Sequence, residues 1–262
     1  MNKIKHGDFS QLAKHYINRP GYSNNVLEVI GNHIKHHYPA RDIVIAELGA
    51  GTGKLTECLL ALGYTGYSVE PNKEMLAEGR RYISRVENCN RFIWRKGTAE
   101  ASGLPDNCAE WAIMGSSFHW AKTSQALAEF NRILKQGGFF TAIYNPRNIE
   151  ASEWHTHIEH KIYEMVPGLN RVSSGSKSNM ADMEERLLSL PCFGELFFVE
   201  GAHIEIMSRE RYIGVWQSVN DIRVQAGEVL WQEVMEMIRR ETKNLSTIEV
   251  PYKTRAWTIR KL

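Results

Sequence analysis

In the stretch ELGAGTGKL an acidic residue, Glu47, precedes three glycines at alternate positions, Gly49, Gly51 and Gly53. Backbone without side chains bends sharply or lets a ligand lie directly against it. Spacing argues against two common ligands. A triphosphate loop needs G-x-x-x-x-G-K-[ST]; here Lys54 is followed by Leu55, so the magnesium-binding hydroxyl is missing, and no glycine stands five positions before Gly53. A dinucleotide fingerprint needs G-x-G-x-x-G; Gly49 and Gly51 fit, but the next glycine comes one residue early and Lys54 stands in its place. A nicotinamide oxidoreductase is therefore disfavoured. Farther along, Glu70 closes the run TGYSVE, where a carboxylate can accept hydrogens from two sugar hydroxyls at once. His119, in SSFHWA, is of the residue type whose ordinary pKa suits a general base at neutral pH. Asn145 and Arg147 follow the run FFTAIY, and Arg147 is a candidate partner for an anionic acceptor.

These residues need a scaffold that brings them together, and the pattern of the chain supplies one. SNNVLEVIGNHIKHHY has apolar residues at helical spacing, N-caps among Ser23 to Asn25 and a stop at Pro39. DIVIAEL is short, apolar and β-branched, as in a buried strand. KLTECLLALG follows as a helix closed by Gly63. The alternation continues with strand TGYSVEP, helix NKEMLAEGRRYISRV, a strand within RFIWRKGTAE, strand AEWAIMGSS, helix TSQALAEFNRILKQGG and strand FFTAIYNP. Strands alternating with helices imply a doubly wound α/β fold, a mostly parallel sheet with helices on both faces. The rhythm fills residues 41–146 and then breaks. NIEASEWHTHIEHKIYEMVPGL reads as helix and NRVSSGSKSNMADM as an exposed polar loop. ELFFVEGAHIEIMS reads as a strand, SRERYIGVWQSVNDIRV and GEVLWQEVMEMIRRETKNL as helices, and TIEVPYKTRAWTIRKL as a last strand pair or extended tail.

Composition narrows the function classes. The chain has 262 residues, 43% hydrophobic and 24% charged, ordinary values for a globular protein with a real core. A formal charge of +2 argues against an obligatory nucleic-acid surface. Cys58, Cys89, Cys108 and Cys192 are widely spaced, which fits free thiols in a reducing compartment. The start of the chain lacks a signal-peptide apolar region, and no apolar run approaches the roughly 20 residues that span a membrane, so a cytoplasmic protein is expected. WHTHIEHK holds His155, His157 and His160, but it is not H-E-x-x-H, and on a helix the first two point about 200° apart. No metal is expected. NHIKHHY reads as a solvated helix face.

The loop ELGAGTGKL resembles the first motif of class I S-adenosylmethionine-dependent methyltransferases, with Glu47 as the acid before the glycines. SVEPNKEM is similar to the family's D/E-P-x-x-x-M, and KGTAEASGLPDNCAEWAIMGSSFHWA to its G-x-A-E-x-L-P segment, with Thr98 where many members carry Asp. AKHYINRPGYSNNVL resembles the Y-x-x-x-R-P-x-Y segment of the small-molecule branch that includes trans-aconitate methyltransferases, a branch with a methyltransferase type 11 domain. The resemblance covers most of residues 10–146 and, weakly, VPYKTRAWTIRK. It implies a Rossmann-like, seven-stranded fold, residues 1–147 plus 196–262 as methyltransferase core and 148–195 as a helical substrate cap, with the helix of Tyr212, Trp216 and Arg223 as a further candidate cap element. It implies S-adenosylmethionine as cofactor: Gly49, Ala50, Gly51 and Gly53 under its methionine part, Glu70 on the ribose, Pro71 and Met75 nearby. Thr98, Ala99 and Glu100 would lie along the adenine, Ser116 and Ser117 beside the methyl, Arg19 on the carboxylate, with Tyr16 and Tyr22 as lid. His119 would be base or pocket wall, and Phe118, Trp120, Asn145, Arg147 and Trp216 would meet the acceptor. The expected reaction is methylation of an oxygen or nitrogen of a small molecule, with a carboxylate among the candidates. Methylation of tRNA or protein, and cofactor binding without methylation, are the alternatives. Neither a nucleic-acid nor a membrane partner is expected, and the sequence leaves the oligomeric state open.

Overall fold

The computed structural model describes residues 13–39, 42–171, 180 and 182–262. Residues 1–12, and most of the polar stretch expected as a loop at 170–183, lie outside the described residues. Seven strands form one sheet in the order β3-β2-β1-β4-β5-β7-β6. They are β1 Val44–Leu48, β2 Thr65–Val69, β3 Phe92–Arg95, β4 Ala109–Gly115, β5 Leu134–Tyr144, β6 Phe193–Ser208 and β7 Thr247–Lys261. The contacts among β1 to β5 are parallel, while β7 runs antiparallel to both β5 and β6. The chain winds outward from β1 to β3, then returns to place β4 on the other side of β1. A ligand crevice forms at such a reversal, beyond the carboxyl ends of β1 and β4.

Helices cover both faces, which is why β1 and β4 are buried along almost their whole length and apolar apart from Glu47 and Glu110. On one face, α2 Asn24–His37 and α3 Lys54–Ala61 bury Val26, Leu27, Ile30, Leu55 and Leu59, joined by Ile83 at the end of α4 Lys73–Ile83. On the other, α5 Thr123–Ile133 buries Ala126, Leu127 and Phe130 against Phe140. A four-residue helix, α1 Ala13–Tyr16, precedes α2.

Several boundaries differ from the sequence reading. The helix expected through Gly138 stops at Ile133, because Leu134 already pairs with Ala109 across an irregularity in the β4–β5 ladder. The tail expected as a strand pair or extended segment is the single strand β7, paired along most of its length with β6. Of the residues expected to form the cap, α6 Glu153–Met165 packs with α8 Arg209–Gln217 and α9 Asn220–Glu241. Ile158, Ile162, Tyr212, Trp216, Trp231 and Ile238 share a core there with Met207, Val250 and Tyr252 of the β6–β7 ribbon. The short helix α7 Met183–Leu187 instead adds Met183 and Leu187 to the core beside α5. The helical assembly is thus built from two separated stretches. Helices α8 and α9 are divided at Ser218–Val219, and α9 is kinked at Gly227, where φ is 74°. Among the described residues no helix is long and apolar enough to cross a membrane.

Gly53 shows how local conformation sets this frame. It caps α3 at φ 86°, and a Cβ there would lie 2.8 Å from Ile83 Cγ1 and 3.3 Å from Trp94. Gly53→Ala is expected to destabilise the fold by roughly 2–4 kcal/mol, from left-handed strain plus overpacking. Urea denaturation measures this, and an unchanged midpoint would show that the turn tolerates a side chain.

Candidate active site

A cavity of about 490 Å³ opens at the carboxyl ends of β1, β2 and β4. Its floor is the turn after β1. Gly49 and Gly51 adopt φ of 72° and 58°, in the region that favours glycine. Val69 O accepts from Gly49 N (2.8 Å) and Ala50 N (3.0 Å), pinning the turn to the end of β2. A Cβ on Gly51 would meet only Met75 Cε, at 3.6 Å, so this residue shows bare backbone to the cavity. Gly53 faces away from it, against Ile83 and Trp94, and does not join the lining.

Two carboxylates flank the turn in different states. Glu47 is 1% exposed. Its Oε2 accepts from Thr56 Oγ1 (2.5 Å) and Ser68 Oγ (3.0 Å). Burial pushes this carboxyl up to about 7, against the pull of the two hydroxyls. Glu70 lies at the end of β2. Its Oε2 accepts from Gly51 N and its Oε1 from Asn72 N, both at 2.8 Å. Burial raises its pKa and the two amides lower it. Each oxygen keeps a lone pair for a further donor. Asn72 also caps α4 through Glu74 N and Met75 N, which holds Met75 at the cavity wall.

The remaining wall comes from separated elements. Pro71, Thr98, Ala99 and Glu100 line one side, and Thr98 Oγ1 ties its own turn by accepting from Glu100 N and Ala101 N. Ser116, at the end of β4, has φ of 53°. Tyr22 is half-buried and donates to Ser116 Oγ at 3.0 Å. A Cβ on Gly115 would lie 2.6 Å from the Tyr22 hydroxyl, so this close approach requires glycine there. Burial pushes the Tyr22 phenol well above its ordinary range. Arg19 stacks on Tyr16 at 4.1 Å and donates to Ser218 Oγ (2.9 Å) and Ser218 O (3.0 Å). Ser117, His119, Trp120 and Asn145 also line the cavity. The His119 ring lies 4.7 Å from Trp120 and 5.9 Å from Tyr144, with both ring nitrogens shielded from solvent.

Three expected acceptor contacts lie elsewhere. Phe118 is fully buried against Phe140 and beneath Arg186, because the turn Phe118–Trp120 directs its apolar residue into the sheet core. Arg147 stacks on Trp216 at 3.9 Å, and Trp216 is 1% exposed in the core of the helical assembly. Neither contributes to the lining. Conversely, Arg171, Val219, Asn220 and Asp221 close the far wall, and Thr52 and Lys54 join the near one. Val219 to Asp221 stand where α8 gives way to α9. The sequence reads as one helix through SRERYIGVWQSVNDIRV, whereas the structure breaks it after Gln217 and opens a new helix at Asn220, which brings Val219 to Asp221 to the cavity. Among the described residues no three or more His, Cys, Asp or Glu side chains converge as a metal site. His155 is buried on Ser152 (2.9 Å), and burial pushes it down to about 4.

The profile of a methyltransferase-domain family matches residues 46–142, the stretch that holds the glycine turn, Glu70 and the end of β4. The chain is 33% identical over 130 residues to an uncharacterised methyltransferase of Mycobacterium tuberculosis, covering 50% of this chain and 48% of that protein. The match thus spans about half the length of the mycobacterial relatives. An uncharacterised methyltransferase of Schizosaccharomyces pombe is 26% identical over 247 residues, 93% of this chain and 91% of that one. Residues 46–142 are thus similar to a methyltransferase domain. The fold agrees. A protein described as a type II methyltransferase from Anaeromyxobacter dehalogenans superposes with a TM-score of 0.64 at 18% identity, covering 92% of this chain and 97% of that one. A protein described as an S-adenosylmethionine-dependent methyltransferase from Methanococcus maripaludis gives 0.56 at 20% identity, covering 76% and 91%.

The methyltransferases that this chain resembles use S-adenosylmethionine as cofactor, and the residues present suit it. The cavity volume lies within the range usual for small-molecule sites. The glycine turn offers backbone without side chains at Gly51, and Glu70 offers two acceptor oxygens.

The raised Glu47 pKa carries a sign. The fold favours the protonated acid, so its contribution to stability is fully present below the usual 4.5 and is lost as pH rises through about 7. Thermal denaturation without cofactor should show Glu47→Gln gaining on the wild type across that window. Parallel pH profiles would mean that the carboxyl titrates normally.

Proposed function

We propose that this protein transfers the methyl group of S-adenosylmethionine to an oxygen or nitrogen of a small molecule. One observation carries the reading: a single cavity runs from the glycine turn and Glu70 to residues of the helical assembly, Val219 to Asp221. Donor and acceptor would share one partly enclosed space. When bound, the cofactor supplies an electrophilic sulfonium methyl. The lining residues would hold an acceptor oxygen or nitrogen beside that methyl and keep water away from it.

The protein's part is binding, orientation and exclusion of water. Glu70 would accept from the two ribose hydroxyls while still holding Gly51 and Asn72. Gly49, Ala50 and Gly51 would lie under the methionine part, above Glu47. Pro71, Met75, Thr98, Ala99 and Glu100 would flank the adenine. Arg19, already aligned by Tyr16 and Ser218, would pair with the cofactor's carboxylate. Tyr16 and Tyr22 would cover it, and Ser116 and Ser117 would edge the reacting centre. Trp120 and Asn145 would bound the acceptor. His119 lines the cavity with both ring nitrogens shielded from solvent, and it is assigned to the wall rather than to the base. With Arg147 on Trp216, a carboxylate acceptor loses the partner the sequence suggested for it. The cap is assigned to α6, α8 and α9, and residues 13–147 with β6 and β7 to the core. The free cysteines fit a cytoplasmic setting.

Incubation with S-adenosylmethionine and a panel of phenols, amines and small acids should release S-adenosylhomocysteine with at least one of them. Release only with tRNA or protein, or cofactor binding without release in any mixture, would contradict the reading. Glu70→Ala should weaken S-adenosylmethionine binding by roughly tenfold to a hundredfold, the worth of charge-assisted hydrogen bonds. Unchanged affinity would remove Glu70 from the site. His119→Ala should keep the shape of the pH–rate profile; loss of its basic limb would restore His119 as base.

A further inference from the structure

The segment that carries Arg19 is seated on α8 by contacts that the reading above leaves without a role. From this segment Tyr16, Arg19, Pro20 and Tyr22 line the cavity, and α1 packs against both α4 and α8. Asn18 is the point of attachment. Its Nδ2 and its backbone N both donate to His15 O, at 3.2 Å and 3.1 Å, which closes α1. Its own carbonyl accepts from Arg211 Nε at 3.1 Å. Arg211 is steadied in turn by Glu205 of β6, 2.6 Å from its Nη1. Gly214, farther along α8, makes room for the same side chain: a Cβ there would overlap Asn18 Nδ2 and lie 2.7 Å from Asn18 Cγ. Glycine weakens a helix interior, and here it leaves the hollow that Asn18 fills.

The next residue, Arg19, is half-buried and reaches the cavity. Its head is held: Nε and Nη2 donate to Ser218 Oγ and Ser218 O, and the guanidinium lies on Tyr16. Among the described residues no carboxylate pairs with it, so an anionic group of a ligand would be its ion-pair partner. An arginine has a long stem with many rotamers, and a head held at Ser218 keeps its place only while the stem starts from the right point. Asn18 sets that point, and Arg211 and Gly214 set Asn18. Both ends of the Arg19 side chain are therefore referred to one helix and its C-terminal end. The freedom that pairing with an anion would otherwise remove is already gone.

We propose that Gly214 and Arg211 are positioning residues for the cofactor's carboxylate: they seat Asn18 on α8 and so fix the root from which Arg19 reaches the cavity. This inference rests on the methyltransferase reading and on the place of Arg19 within it. Neither residue lines the cavity, so each acts through Arg19 and not on the cofactor itself. The helical assembly then serves the cofactor as well as the acceptor.

Two ligands that differ in one group test this: S-adenosylhomocysteine and its decarboxylated form, which keeps the adenosine, the sulfur and the amine. Each is titrated calorimetrically into the full chain. The wild type is expected to bind S-adenosylhomocysteine roughly tenfold or more tightly than the decarboxylated form, as a charge-assisted pair requires. Arg19→Gln should close most of that gap. Gly214→Ala, which changes no charge, and Arg211→Ala should each weaken S-adenosylhomocysteine by roughly threefold to tenfold and leave the decarboxylated form within about twofold. If one variant does not fold, the other decides. Equal weakening of both ligands would make Gly214 and Arg211 general supports of the fold. Unchanged S-adenosylhomocysteine affinity in these variants, with Arg19→Gln still impaired, would show that Arg19 needs no such seat. Either result overturns the inference alone. Indifference of S-adenosylhomocysteine to Arg19→Gln would overturn the place given to Arg19, and its failure to bind the wild type would overturn the methyltransferase reading; the inference falls with either.

Discussion

Val69 O accepts from both Gly49 and Ala50, and the carboxylate of the next residue, Glu70, accepts from Gly51. This interlock between the end of β2 and the turn after β1 is the constraint on which the site depends. It holds three successive amides of the turn before any ligand arrives. It also fixes Glu70, whose second oxygen is set by Asn72 at the start of α4. A ligand meeting this surface need not order a loop, so little of its binding energy goes into conformational entropy. Beneath, Glu47 joins the turn to α3 through Thr56 and to β2 through Ser68. The site floor is thus a hydrogen-bonded unit of two strands and two helix starts, not a flexible glycine loop.

The opposite wall is built differently. The β6–β7 ribbon carries the helical assembly of α6, α8 and α9, whose own apolar core makes it a second packed body. The segment around α1 ties the two together. Arg211 donates to Asn18 O at 3.1 Å and Arg19 donates to Ser218, so this segment is fastened to α8 and its C-terminal end. A few residues on, Tyr22 is fastened to Ser116 at the end of β4. One short stretch of chain therefore links the wall beside the helical assembly to the strand end proposed to edge the reacting centre. Movement of the helical assembly would be felt at both.

The doubly wound sheet was legible because β1, β2 and β4 are short, mostly buried runs that each lead into a helix. The cavity residues near the glycine turn were legible for the same reason: position at a strand's carboxyl end predicts nearness to the crevice. Legibility failed where tertiary packing decides. Phe118 and Trp120 are two residues apart on one turn, yet one is in the core and the other on the cavity. Arg147 stands at the expected strand end but is drawn onto the face of Trp216. Asp221 and Arg171 meet across 50 residues, and no local spacing records such a pair. The packing of α6 on α8 was hidden likewise, because each shows only that it has an apolar face, not that the two face each other.

The most direct test of the central claim is calorimetric titration of the folded, ligand-free protein with S-adenosylmethionine and, in parallel, with NADH. The interlocked turn and Glu70 predict saturable binding of S-adenosylmethionine and none of NADH. Binding of NADH, or no binding of S-adenosylmethionine, would contradict the account of the turn and of every residue assigned around it.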